Sequence, residues 1–214
     1  MLSGAYDTKD PENPGCEIKY DLQKLDFRQA FEKLNTFQTL APIAEFIEGN
    51  FTTSLIMNGK LGKDLMPKLN TLNAQGFLQT LNAVIANFKP LQAIGNALQV
   101  EEFKEALKIK GTKNWFEVKD GKVEVKEFDY DLKDIAMKIS GSHSLDQAMD
   151  YKIKAKIPRK FLESNAVGAT ATRGLDVLTE QANKLGLDLK KSEFVNVMIN
   201  LTGSIKDPKV KFNL

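Results

Sequence analysis

The sequence has one histidine, His143, and one cysteine, Cys16. A lone cysteine closes no internal disulfide, so it leaves the redox compartment open. Cys16 lies between Gly15 and Glu17. No basic neighbour lowers its pKa, which fits a structural thiol rather than a nucleophile. One histidine and one distant cysteine do not make a zinc site, so no metal is expected. There is no G-x-S-x-G nucleophile elbow to go with His143, so a serine hydrolase is disfavoured. The dinucleotide fingerprint G-x-G-x-x-G is missing too. Gly59-Lys60-Leu61-Gly62-Lys63 resembles a phosphate loop only superficially, because Asp64 stands where Ser or Thr is needed. No cofactor and no catalytic residue are expected, and the chain reads as a non-enzyme.

Long apolar runs are lacking as well. No stretch of about 18 apolar residues spans a bilayer as a helix. Residues 1–20 have no basic segment followed by an apolar one, so they do not read as a signal peptide. With Gly4, Pro11, Pro14 and Gly15 they are expected to be an irregular lead-in. Charge of one sign is scarce: Lys and Arg total 30 against 28 Asp and Glu, a net +2. Nucleic-acid binding normally needs a concentrated basic surface, so that partner is not expected.

What is present is an ordinary folding composition, 42% apolar and 27% charged, which argues against disorder. Residues 21–214 are read as one domain. Asp26 is placed to cap a helix, with Gln29 three residues on. Phe27, Ala30, Phe31, Leu34, Phe37 and Leu40 recur at helical spacing, and Pro42 kinks or ends the run. Two helices, or one kinked helix, are therefore predicted over 26–48. Short helical pieces are predicted over 88–103, with Pro90 near a start.

Elsewhere the period is two. Strands are predicted around 55–61 and 76–85, and from 107 to 157 the chain reads as strand after strand. Asp120-Gly121 is the strongest hairpin signal, since both residue types accept positive φ. A loop is expected over 164–172, then a helix over 173–184 ended by Gly186. Val195 to Ile205, and then Val210, Phe212 and Leu214, close the chain with the same alternation. Three segments share a frame with a glycine on the apolar face: Leu55-x-Met57-x-Gly59-x-Leu61, Met137-x-Ile139-x-Gly141-x-His143-x-Leu145, and Ile199-x-Leu201-x-Gly203-x-Ile205. Either strand alternation throws up such coincidences, or the glycines bend the sheet or make room for a neighbour. The expected fold is α+β: an extended, curled, mainly antiparallel β-sheet with helices packed on its apolar face.

The segments APIAEFIEGNF, MPKLN, GSHSLDQAMDYKIKAKIP and GSIKDPKV, in that order, resemble the C-terminal region of AsmA-like proteins, especially those of Bacteroides-type bacteria. The resemblance runs from Tyr20 onward and is one of style, with no catalytic motif. It implies a periplasmic part of an inner-membrane-anchored protein whose anchor is absent from this chain. It also implies a role in phospholipid transport or outer-membrane biogenesis, with phospholipid or another envelope lipid as partner. No particular protein partner is implied. The residues expected to line an apolar groove, or the core that helices fill in its place, are Leu55, Met57, Met137, Ile139, Tyr151, Ile153, Ile199 and Leu201. Lys152, Lys154 and Lys156 share the opposite strand face. They are read as a solvated, edge-protecting face or as contacts for anionic headgroups. His143 on an apolar strand face is read as a satisfied structural residue. The alternative overall reading is a ligand-free structural or protein-interaction domain of the envelope.

Overall fold

The computed structural model describes residues 1–164 and 166–213. Asn165, within the expected loop, and Leu214, at the end of the expected last strand, lie outside the described residues. The described residues form one mainly antiparallel sheet with a few helices. Its strands are β1 (Leu2–Asp7), β2 (Gly15–Asp26), β3 (Ile47–Lys60), β4 (Asn73–Ile85), β5 (Leu107–Lys110), β6 (Lys113–Lys119), β7 (Lys122–Leu132), β8 (Ile135–Ser144), β9 (Ala148–Pro158), β10 (Phe194–Ser204) and β11 (Pro208–Asn213). The helices are α1 (Phe27–Lys33), α2 (Asn35–Leu40), α3 (Lys89–Leu98), α4 (Arg159–Glu163) and α5 (Ala166–Lys184).

Each strand pairs with its neighbour in the chain, with one irregularity. β5 and β6 lie end to end along β4, on residues 82–85 and 74–79 respectively. Gly111 turns the chain between them with φ +61°. β7 pairs with β6 only over residues 122–125, and a bulge follows between Val125 and Phe128. Past that bulge the sheet is split between β5 and β7.

Local chemistry explains the ends of the elements. The Asp26 carboxylate accepts a hydrogen bond from Gln29 N at 2.9 Å and caps α1. Pro42 opens a 3₁₀ turn, Pro42–Phe46, which leads directly into β3. Asp120 and Gly121, at φ 51° and 72°, form the two-residue turn that sets Lys119 opposite Lys122. Gly186 at φ +91° follows α5 and donates to Asn183 O at 3.0 Å.

The main hydrophobic cluster includes Phe27, Ile94, Leu98, Phe103 and Leu162 from helical segments, together with Phe51, Ile85, Met137, Ile153, Val197 and Ile199 from strands. A second cluster joins Leu55, Met57, Leu72, Ala74, Val118 and Val123.

Three expectations change. Residues 1–20 are not an irregular lead-in: they hold β1 and the first half of β2, so no boundary falls at 20/21. The alternation Cys16, Ile18, Tyr20, Leu22 belongs to a strand, and the prolines sit in the turn before it. The expected loop over 164–172 is largely helix, since α5 already begins at Ala166. Alanines at 166, 169 and 171 favour helix strongly enough to offset Gly168 and the threonines.

The sheet, expected to be curled, is open and uncurled, with β1 and β11 as its edges. The glycines of the shared frame have no common bending role. Gly59 makes room for the Leu72 side chain, whose Cδ2 would lie 2.9 Å from an added Cβ. Gly203, at φ +86°, belongs to the turn into β11, in which Ser204 N donates to Asp207 O at 3.1 Å. Gly141 receives the Tyr151 ring.

Candidate functional site

The register places the apolar candidates on one face as rungs. Ile139 lies between Phe128 and Ile153, Ile153 faces Ile199, and Ile199 faces Phe212. A parallel rung runs from Tyr130 through Met137 and Ala155 to Val197. Tyr151 sits between Gly141 and Leu201, and Leu201 faces Val210. Across the sheet, Leu55 lies between Tyr20 and Gly76, and Met57 between Ile18 and Ala74.

Leu55, Met57, Met137, Ile153, Ile199 and Leu201 are buried, Ile199 completely (0% exposed), while Ile139 and Tyr151 are half-buried. Burial holds the Tyr20 hydroxyl neutral, its pKa raised to about 12. The Cys16 thiol is also raised by burial, the opposite of an activated nucleophile.

A polar constellation on this face centres on His143. Its Nδ1 is 2.9 Å from the Tyr151 hydroxyl, and its Nε2 is 3.0 Å from the Leu40 carbonyl oxygen at the end of α2. A carbonyl only accepts, so Nε2 carries the proton and donates. Nδ1 then accepts from the Tyr151 hydroxyl. Burial pushes the His143 pKa down, and the bond to Leu40 only partly opposes it. Burial also raises the Tyr151 pKa.

Gly141 makes this arrangement possible. An added Cβ there would lie 2.4 Å from Asp150 O and 2.8 Å from Tyr151 Cδ1. The ring fills the space of the missing side chain, and its hydroxyl reaches the histidine. Sequence reading singled out His143, Gly141 and Tyr151 separately but not their union. The available signal was a glycine two residues before the only histidine, on the same strand face. The imidazole has both nitrogens engaged and no serine hydroxyl or carboxylate among its bonded partners, so the geometry is that of a structural tie between β8, β9 and α2.

Lys152, Lys154 and Lys156 project from the other face and are exposed. Lys154 pairs with Glu127 at 2.8 Å, and that bond holds the Glu127 carboxyl below its usual pKa. Lys156 lies over the Phe194 ring at 4.4 Å. Two cavities lie away from the apolar candidates. One, of about 540 Å³, occupies the split in the sheet between Lys108, Lys110 and Lys113 on one side and Glu127, Asp129 and Asp131 on the other. The second, of about 380 Å³, lies between α5 and β10 beside Leu175, Leu178, Leu189 and Phe194. Neither touches the eight apolar candidates.

Comparison with protein-family models, curated proteins and solved structures gives no match to this chain. Among the described residues, no group of three or more His, Cys, Asp or Glu side chains is placed to hold a metal ion. No described helix is long and apolar enough to cross a membrane.

Proposed function

We propose that this chain is a non-enzymatic periplasmic domain of the AsmA-like kind, supporting phospholipid transport or outer-membrane biogenesis through the apolar face of its sheet. The observation that carries this reading is the run of apolar rungs, in which Phe128, Ile139, Ile153, Ile199 and Phe212 follow one another strand by strand. Such a face matches the chemistry of acyl chains. In this reading the helices α1 to α3 lie on the apolar face and cover it until lipid displaces them. Leu55, Met57, Met137, Tyr151 and Leu201 extend the same lining. Lys152, Lys154 and Lys156 meet anionic headgroups from the other face.

The second reading is a ligand-free structural or protein-interaction domain, with the helices as permanent occupants of that face. One observation favours it. Six of the eight candidates are already buried, and neither described cavity reaches them.

Native mass spectrometry of the purified chain, with organic extraction, separates the two. Stoichiometric phospholipid, retained or taken up from vesicles, is the expected result. Replacing Lys152, Lys154 and Lys156 together by Glu keeps the core intact. At about 1 kcal/mol per basic residue it should weaken binding to anionic vesicles by tenfold or more. A clean apo mass after incubation with vesicles would overturn the lipid reading in favour of the structural one.

A further inference from the structure

The two edges of the sheet are not alike. β11 opens on Pro208 and carries Lys209 and Lys211, and α3 lies in contact with it. Proline, lysine and a covering helix are the usual protections of a sheet edge against strand addition. β1 has none of them. Its sequence, Leu-Ser-Gly-Ala-Tyr-Asp, carries no charge before Asp7, and every residue in it is exposed, Leu2 at 73% and Tyr6 at 55%.

The ladder fixes which backbone groups of β1 are unused. Asp21 N donates to Met1 O at 2.8 Å, so the Met1–Asp21 pair is a hydrogen-bonded one. Hydrogen-bonded and non-hydrogen-bonded pairs alternate along an antiparallel ladder. Ser3 and Ala5 therefore turn their N–H and C=O groups towards β2. Leu2, Gly4 and Tyr6 turn theirs outward, with no strand among the described residues to receive them. The same three residues stand opposite Tyr20, Ile18 and Cys16, so their side-chain positions continue the apolar face of the sheet.

We propose that β1 is a homotypic docking edge, pairing antiparallel with β1 of a second copy about a twofold axis at Gly4. The strand is self-complementary in that register. Leu2 falls opposite Tyr6 of the second copy, Ser3 opposite Ala5, and Gly4 opposite Gly4. Each outward-facing residue exchanges both backbone bonds with its counterpart. Leu2 packs against a tyrosine ring on the same face, a favourable cross-strand pair. Gly4, having no side chain, lets the two strands meet on the axis without crowding. The apolar faces of the two sheets become one. The contact is small, so the association is weak and concentration-dependent. It needs no lipid, and its success or failure is independent of the function proposed above.

Sedimentation of the lipid-free chain from about 10 to 500 µM tests it, a range suited to a small, transient interface. A monomer–dimer equilibrium is expected. The exposed double variant Leu2→Lys/Tyr6→Lys sets like charges opposite each other and should weaken the dimer at least about tenfold. Leu2→Lys/Tyr6→Glu sets opposite charges in the same places and should restore it. A wild-type chain that stays monomeric throughout overturns the proposal. So does a double-lysine variant that dimerises as tightly as wild type, or a lysine–glutamate variant that associates no better than the double-lysine one. Circular dichroism checks that both variants remain folded.

Discussion

His143 shows how much one residue can report about its surroundings. The neutral ring satisfies both partners, with Nε2–H to Leu40 O and Nδ1 from the Tyr151 hydroxyl. Tyr151→Phe leaves a buried ring nitrogen without its donor, which should cost about 1–3 kcal/mol in urea denaturation. The pH dependence follows from the depressed pKa of His143. An unfolded histidine titrates near 6.5. Below that pH the unfolded chain takes up a proton that the folded chain resists, so protons favour unfolding. The stability contributed by a neutral His143 is complete above about pH 6.5 and is lost as pH falls towards the folded pKa. Denaturation midpoints measured from pH 7.5 to 5 should therefore decline, and His143→Gln should flatten the decline. The carboxyls of Asp10, Glu127 and Asp146 are all held below their usual values, so their own transitions lie at lower pH.

At the scale of elements, Phe27 and Phe37 find their partner in β3. The Phe51 ring lies 4.4 Å from Phe27 and 5.1 Å from Phe37, stacked on the latter. Phe51→Ala should cost about 3–5 kcal/mol by chemical denaturation and speed amide exchange in α1 and α2 more than in β9. By contrast, the second half of α5, residues 173–184, has no buried side chain and is held mainly by the Arg159–Asp176 pair. Val177 and Leu178 are exposed, as are Leu185, Leu187 and Leu189 beyond it. Amides of residues 173–184 should exchange roughly a hundredfold faster than those of β9 in native-state hydrogen exchange.

The elements readable from sequence are those whose signal is local. The Asp26 cap, the Asp120-Gly121 turn and the alternation of β8, β9 and β10 all depend on residues a few places apart. β1 was not readable, because an edge strand exposed on both faces needs no apolar alternation. The start of α5 was hidden by its glycine and threonines. The His143–Tyr151–Leu40 tie joins residues 103 apart in the chain, so no local pattern could announce it. The face shared by the eight apolar candidates was legible from period two alone. What covers that face was not, since strand alternation says which side is apolar and nothing about the occupant.

The whole molecule is a meander in which, β5 apart, every strand pairs with its chain neighbours. Its architecture could be anticipated because hairpins dominate it, while the split between β5 and β7 depends on a bulge at Val125/Phe128 that the sequence does not signal. Topology of this kind also bears on synthesis. β1 to β4 complete their mutual pairing within the first 85 residues, before β6 to β11 need exist. No early strand waits for a late one to be inserted beside it. The sheet can grow vectorially as the chain emerges, each new hairpin templated by the strand laid down before it. Of the two margins during that growth, the leading one is covered in turn by the next segment of the nascent chain, while β1 stays open throughout.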